Sequence, residues 1–252
     1  MIYDFDDSIW LQNVSEANKK FVFLKNPNKT TALIKLSNMV FTGNQYLADF
    51  ALKYNKNVKI IPTTIDTDEY KPKLKKPSDK ICIGWSGSVT TIQHFKYAID
   101  ALKIISEKYK SQIEIKVIGD SEYRNSELKI QGLPWKKETE IDDLLSFHIG
   151  IMPLPDDEWA KGKCGLKGLQ YMALEIPTIM SPVGVNSSII QDGENGFLAS
   201  TVDEWVNKLS LLIENEELRL KIGKNGRQTV IAKYSVDSTK ESYLKYFNEL
   251  TH

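Results

Sequence analysis

The chain has 252 residues, of which 41% are hydrophobic and 26% charged, and this is enough to bury one large core or two modest ones. Its 33 basic and 33 acidic residues give a formal net charge of zero, which excludes a strongly basic surface for nucleic acid. Two cysteines are too few for a disulfide framework and favour a reduced, cytoplasmic setting. No signal peptide or membrane-spanning apolar run is visible, although a peripheral membrane contact stays open.

The first 66 residues have the pattern of an incomplete α/β domain. Short apolar runs at 1–5, 39–42 and 58–62 predict strands. Helical spacing before residue 37 and after Asn44, a plausible N-cap, predicts two intervening helices. This is little material for an independent domain, so we expect residues 1–66 to be part of an N-terminal domain. Residues 67–80, rich in Lys, Pro and Asp, predict a linker.

An acidic group follows the first predicted strand. Asp4, Asp6 and Asp7 carry carboxylate oxygens, which suit a divalent metal ion. The same residues also fit a strand-end group that caps a helix and faces water, and we favour this second interpretation.

Residues 81–235 predict a second α/β domain, with a more regular alternation. Apolar runs at 81–85, 114–118, 148–154 and 178–180 predict strands, with amphipathic helices between them. Strands that alternate with helices in this way form a parallel sheet covered on both faces. We therefore predict an α/β fold with a doubly wound, Rossmann-like parallel sheet and a partial second α/β domain.

A terminal helix, residues 236–252, is predicted after Ser235, which has the character of an N-cap. Its spacing suggests that Tyr243, Leu244 and Phe247 face inward.

Four loops are expected at the carboxyl edge of the predicted sheet. They are residues 84–88, residues 119–120, the loop before Gly165, and residues 182–186. Ligands of such sheets bind beyond the carboxyl ends of the strands, where the strand order reverses. Because two of the loops are glycine-rich, we predict a nucleotide that carries phosphate.

Residues 161–177 form the most informative segment, a glycine-flanked loop that leads into a short helix. Gly162 and Gly165 allow the backbone to approach a ligand at the helix N-terminus, where unpaired N–H groups attract an anion. Lys163 and Lys167 are four residues apart, so on a helix both ammonium groups leave from the same side. A helix start with two solvated lysines explains the same pattern without a ligand.

The helix in this segment has one apolar stripe. Leu166, Leu169 and Ala173 recur at helical spacing and are expected to be buried. Pro177 ends the helix, and residues 178–180 predict the next strand.

Several segments carry a family resemblance, in the order in which the family has them. They are residues 61–66 with Tyr70 and Pro72, then 84–88, 117–120, 151–154, 165–166, 170–173, 176–177, 182–185 and 192–198. Across roughly residues 38–250, this pattern resembles the group 1 retaining glycosyltransferases, which have the GT-B fold. Residues 3–7 are similar to a late strand of the family's N-terminal domain.

The sequence departs from the family at two positions. The family has a Glu, seven intervening residues and a second Glu, whereas this chain has Gly162 and Gln170. The resemblance implies that the first Glu holds a donor sugar hydroxyl and the second contacts the ribose, which Gln170 can still do through its amide. Asp156, Asp157 or Glu158 are candidates for the missing carboxylate. Early strands of the N-terminal domain are also missing, so we expect a truncated enzyme.

The resemblance implies transfer of a sugar from a nucleotide-sugar, of UDP or GDP type, to a hydroxyl of a glycan or lipid-linked acceptor. The anomeric configuration is retained, and neither a cofactor nor a metal is expected. Lys163 and Lys167 are the expected catalytic residues, because they would neutralise the diphosphate leaving group. The expected donor-binding residues are Gly87, Ser88, Gly119, Asp120, Gly165, Leu166 and Gln170.

The main alternative is a non-catalytic nucleotide-binding or interaction module with the same fold. The replaced Glu pair favours the module, whereas the glycine loops and the paired lysines favour the enzyme. An epimerase acting on sugar phosphates is weaker, because no general acid/base pair stands out.

Overall fold

A computed structural model describes residues 1–11, 27–73 and 78–250. It contains two separate parallel sheets, and the predicted linker, of which residues 67–73 and 78–80 are described, separates them along the chain. Residues 74–77 of that linker lie outside the described part of the chain.

The first sheet has three parallel strands in the order β1-β2-β3. Its elements are β1 (Ile2–Phe5), α1 (Pro27–Leu36), β2 (Met39–Thr42), α2 (Gln45–Leu52) and β3 (Val58–Ile60). The predicted order of strands and helices is confirmed. Asn44 is the N-cap of α2 as predicted, since its side chain accepts a hydrogen bond from the N–H of Leu47 at 2.9 Å.

The second sheet has five parallel strands in the order β10-β9-β8-β4-β5. Its strands are β4 (Ile81–Ser86), β5 (Ile113–Ile118), β8 (Ile149–Met152), β9 (Thr178–Met180) and β10 (Phe197–Leu198). A two-stranded antiparallel ribbon, β6 (Arg124–Asn125) and β7 (Ile130–Gln131), follows β5.

Helices connect and cover these strands. They are α3 (Ile99–Tyr109), α4 (Glu140–Leu145), α5 (Glu158–Lys161), α6 (Leu166–Ala173), α7 (Asn186–Ile189), α8 (Val202–Glu214), α9 (Glu216–Lys233) and α10 (Val236–Asn248). Two 3-10 turns, Ile92–Ala98 and Lys110–Gln112, flank α3.

Both faces of the second sheet are buried, as the alternation along β4 illustrates. Ile83 and Trp85 point into a core that includes residues of α3 and α8. Cys82 points to the other face and packs there with Phe147 and Tyr171. The predicted doubly wound α/β fold is therefore confirmed.

The strand order reverses between β4 and β8. From β4 the chain passes to β5 on one side and later returns to β8 on the other side. The carboxyl ends of β4 and β8 therefore flank the position at which sheets of this type bind ligands.

The last helix, α10, returns to the first sheet. The ring of Tyr243 lies edge-on to that of Phe41, with 5.6 Å between their centroids, and the ring of Phe247 is 6.0 Å from Phe41. Leu244, predicted to face inward, is 54% exposed, so that part of the prediction is wrong. Because Phe41 occupies the middle strand β2, the helix contacts the centre of the sheet, and Leu244 lies off that contact stripe.

Candidate functional site

A cleft of ≈ 270 Å³ opens at the carboxyl ends of β4 and β8. Its lining includes residues of the second sheet unit, namely Ser86, Gly87, Ser88, Thr91, Trp135, Glu140, Met152, Lys163, Cys164, Gly165, Leu166, Lys167 and Gln170. Asp6, Asp7 and Thr63, which follow strands of the first sheet, complete it. The cleft thus lies between the two sheets, at the predicted edge of the second one.

The N-terminus of α6 opens into this cleft. Gly165 has φ +75, and a Cβ placed on it would lie 2.4 Å from Ile189 Cδ1, so only glycine fits before the helix. No described side chain caps α6, and its first-turn N–H groups remain for a ligand or water. Leu169 and Ala173 are buried as predicted, but Leu166 is 48% exposed at the mouth of the cleft, so its predicted burial is wrong.

Lys163 reaches across the cleft to the first sheet unit. Its Nζ lies 2.8 Å from Asp7 Oδ1, and it also lies 5.2 Å from the centroid of the Trp159 ring. The ammonium group is largely shielded from water, with a side chain that is 17% exposed. A second anion at this position would therefore compete with Asp7 for Lys163.

Lys167 lines the same cleft from the first turn of α6. Its Nζ is 5.5 Å from the centroid of the Trp85 ring. Burial lowers the pKa of Lys167 to about 8, with repulsion from Lys163 as a second cause. The neighbouring His94 has a pKa lowered to about 4, chiefly by burial and then by Lys167, so its imidazole is neutral at pH 7. The positive charge of this corner comes from the two lysines.

The loop of Gly87 and Ser88 reaches the cleft, but its two backbone N–H groups are already used. That of Gly87 donates to the carbonyl of Ile118 at 2.9 Å, and that of Ser88 donates to Thr91 Oγ1 at 2.9 Å. In this structure these two N–H groups are therefore not available to the phosphate groups of a ligand.

Gly119 and Asp120 stand behind this loop and are not part of the cleft lining. Gly119 has φ +125, and a Cβ there would lie 2.2 Å from the carbonyl oxygen of Gly87. The Asp120 carboxylate accepts the N–H of Glu122 at 2.9 Å. Gly119 thus packs against the loop that reaches the cleft, whereas Asp120 holds its own turn.

Gln170 is buried and its amide is engaged by protein groups. Its Nε2 donates to the hydroxyl of Tyr70 at 2.8 Å and to Glu140 Oε1 at 3.2 Å. The Tyr70 hydroxyl donates in turn to Glu140 Oε2 at 2.7 Å, and Trp135 Nε1 donates to Glu140 Oε1 at 2.8 Å. The carboxylate at this end of the cleft therefore comes from α4.

Gly162, at the position of the family's first Glu, packs against the segment that follows β1. Gly162 lies against Ser8 so closely that a Cβ on it would come within 1.9 Å of Ser8 Oγ. A glutamate at this position therefore does not fit while the segment after β1 is in place.

The three candidates for a replacement carboxylate do not line the cleft. Asp157 caps α5 by accepting the N–H of Ala160 at 2.7 Å. Glu158 pairs with Lys161 and accepts the hydroxyl of Tyr46. Asp156 lies 3.9 Å from Lys161. These side chains are used to build the α5 region.

Sequence reasoning missed Thr63, Trp135 and Glu140 as cleft residues, and it considered Asp6 and Asp7 only as part of a metal site or a strand-end group. The preferred interpretation of the acidic group, a water-facing strand end, is wrong for Asp7, because it pairs with Lys163. The sequence signal that could have placed Asp7 at the site was its position directly after β1, since the carboxyl ends of parallel strands border ligand sites. In the described ranges, no three His, Cys, Asp or Glu side chains are grouped to hold a metal ion.

Comparisons with known proteins agree with this architecture. The profile of the family described as glycosyl transferases group 1 matches residues 66–229. The capsular polysaccharide biosynthesis glycosyltransferase CapM of Staphylococcus aureus is 26% identical over 195 residues, which are 73% of this chain and 50% of CapM. A poly(ribitol-phosphate) alpha-N-acetylglucosaminyltransferase of S. aureus strain COL is 29% identical over 87 residues, 33% of this chain and 18% of that protein.

A solved structure shares the fold. Anabaena Alr3699/HepE, determined in complex with UDP and glucose, superposes with a TM-score of 0.74 at 14% identity, covering 98% of this chain and 71% of HepE. This chain spans at most half the length of the two curated relatives described above. None of its described helices combines the length and hydrophobicity needed to cross a membrane. The family match covers most of the chain and includes α4 to α6 with the cleft residues that they contribute, and the chain belongs to the group 1 glycosyltransferases.

Proposed function

We propose that this chain binds a nucleotide-sugar in the cleft at the start of α6 and transfers the sugar to a hydroxyl group. The observation that carries the proposal is the meeting of Lys163, Lys167 and an uncapped helix N-terminus where the strand order reverses. The similarity to CapM, a glycosyltransferase of capsular polysaccharide biosynthesis, supports a glycan acceptor. A lipid-linked glycan fits the same chemistry. We further propose retention of the anomeric configuration.

The cleft would act mainly on the leaving group. As the glycosidic bond breaks, negative charge grows on the diphosphate, and donors already directed there stabilise it. Removing one such donor typically costs about 3 kcal/mol of transition-state stabilisation. The diphosphate would replace Asp7 as the partner of Lys163. Since two ammonium groups and the helix end supply the charge, we propose a reaction without metal or cofactor.

One observation favours a second candidate, a nucleotide-binding module without turnover. Gly162 packs against Ser8, and this leaves no room for the carboxylate with which the family holds the donor sugar. Hydrolysis of UDP-glucose or GDP-glucose, measured as free glucose, tests for turnover. Slow hydrolysis supports the enzyme, whereas nucleotide binding without any turnover fits either the module or a truncated enzyme.

Isothermal titration with UDP and with GDP tests the binding step. We expect Lys163→Ala to weaken nucleotide binding about tenfold or more, because a charge-assisted hydrogen bond is typically worth about 1.5–3 kcal/mol. Lys161→Ala is the matched control, since Lys161 ends α5 two residues before Lys163 but pairs with Glu158 outside the cleft. Equal affinities of the wild type and Lys163→Ala would remove Lys163 from the site.

A further inference from the structure

The charged groups of the cleft are divided between its two ends, with two lysines at one end, where Lys163 pairs with Asp7, and the Glu140 carboxylate at the other. Lys163 and Lys167 lie at the start of α6, whereas Glu140 contacts Gln170 further along the same helix. Gln170 lies four residues beyond Leu166, which corresponds to about 6 Å along a helix axis. A ligand that fills the cleft therefore needs an anionic group at one end and hydrogen-bond donors at the other.

Glu140 is held rigidly and still has capacity to accept a hydrogen bond. Its carboxylate receives three hydrogen bonds, from Tyr70, Trp135 and Gln170, while an ionised carboxylate has about four acceptor sites. Within residues 1–11, 27–73 and 78–250, the ion pairs formed by Lys and Arg go to other acids. Hydroxyl groups of a ligand are suitable donors, whereas a phosphate would be repelled.

Trp135 places an aromatic surface next to this carboxylate. Its side chain lines the cleft and is 47% exposed. The bond from its Nε1 to Glu140 restricts the ring. Every nucleobase has a π-face, and stacking on an exposed aromatic ring tolerates different bases.

We propose that Glu140 binds the ribose hydroxyls of the nucleotide and that Trp135 stacks on its base. This inference rests on the proposed function and adds the way in which the nucleoside is recognised. Gln170 then acts as a positioning residue, since its amide donates to Glu140 and Tyr70. The loop before α4 and the first residue of α4 thus determine that the donor is a ribonucleotide.

The test compares a ribonucleotide with its dideoxy form, which lacks both ribose hydroxyls. Titrations use UDP and 2′,3′-dideoxy-UDP, or the guanine pair where the wild type prefers GDP. We expect the wild type to bind the ribonucleotide about tenfold more tightly or better, and Glu140→Gln to reduce this ratio to about one. Inorganic pyrophosphate should bind the wild type and Glu140→Gln equally. Glu138→Gln is the matched control, because Glu138 is exposed and lies outside the cleft lining.

Trp135→Leu provides an independent second variant. We expect UDP to quench the tryptophan fluorescence of the wild type and this quench to be lost in Trp135→Leu. The same variant should bind UDP about tenfold more weakly, because the stacking contact is lost. A ribose-to-dideoxy ratio that is unchanged in Glu140→Gln overturns the assignment of Glu140. If Trp135→Leu keeps the full fluorescence quench and the full UDP affinity, the assignment of Trp135 is overturned. If neither UDP nor GDP binds the wild type, the proposed function fails as well. Nucleotide binding by the wild type thus distinguishes failure of the proposed function from failure of the residue assignments alone.

Discussion

The two lysines of the cleft differ in their surroundings. Lys163 has a carboxylate partner, Asp7, at 2.8 Å, which keeps its ammonium in place. Lys167 faces an aromatic ring and lies near Lys163, and its pKa is lowered to about 8 by burial and by that repulsion. Lys167 therefore changes its charge close to physiological pH.

This difference predicts a pH dependence of nucleotide binding. With a pKa of about 8 in the free protein, Lys167 is mostly charged at pH 7 and mostly neutral at pH 9. A diphosphate favours the charged form, so UDP affinity should fall as the pH rises through 8, and binding at pH 8 should take up a proton. Titrations at pH 7, 8 and 9, in buffers of different ionisation enthalpy, measure both effects.

Lys167→Arg is the matched variant for this experiment, because an arginine stays charged over the whole range. Its UDP affinity should vary less between pH 7 and pH 9, and its binding should take up little proton at pH 8. The same pH slope and the same proton uptake in both proteins would show that Lys167 does not titrate in the site.

Sequence reasoning reached the lysines but not the residues that surround them. Lys163 and Lys167 were predicted because glycines and a helix start lie beside them in the chain. Glu140 and Asp7 are 30 and 156 residues from their partners Gln170 and Lys163, and no local pattern records such contacts. The role assigned to Gln170 changes for this reason, since its amide is occupied by Glu140 and Tyr70.

At the scale of elements, the local sequence predicts most of the structure around the start of α6. The helix and the following strand were predicted from apolar spacing and from Pro177, and both are confirmed. Leu166 was placed on the buried stripe because the spacing continues to it. The first residue of a helix that begins at a cleft has no neighbouring element to cover it, so it is exposed.

Gly165 allows the helix to begin here, and a comparison of alanine variants at Gly165 and Gly193 measures its contribution to stability. Both have a positive φ, +75 and +80, but a Cβ at Gly165 would meet Ile189 at 2.4 Å, whereas at Gly193 the nearest side-chain atom is 3.9 Å away. Gly193→Ala should cost about 1 kcal/mol for the backbone conformation alone. Gly165→Ala should cost about 1–3 kcal/mol more, because the methyl group overpacks the turn.

Urea denaturation of the two glycine variants gives both free energies of unfolding. Gly165→Ala should also weaken UDP binding, because the first turn of α6 has to shift, whereas Gly193→Ala should not. An equal loss of stability in the two variants would mean that the contact with Ile189 relaxes without cost.

At the scale of the whole molecule, the order of strands and helices and the two parallel sheets were predictable, whereas the contacts between the two sheet units were not. Periodic apolar runs identified both parallel sheets, since each buried strand must be covered by helices. The return of α10 to Phe41 and the contact of residues after β1 with the α6 loop join parts that are distant in the chain. These contacts determine that the cleft has one wall from each sheet unit.

The central claim is that a nucleotide diphosphate binds between the start of α6 and the two lysines. A crystal structure of the protein with UDP tests it most directly. We predict that the diphosphate accepts hydrogen bonds from the first-turn N–H groups of α6, with Lys163 directed at a phosphate oxygen instead of Asp7. A complex in which UDP lies elsewhere, with the pair of Lys163 and Asp7 intact and the first turn of α6 without contact to UDP, would contradict it.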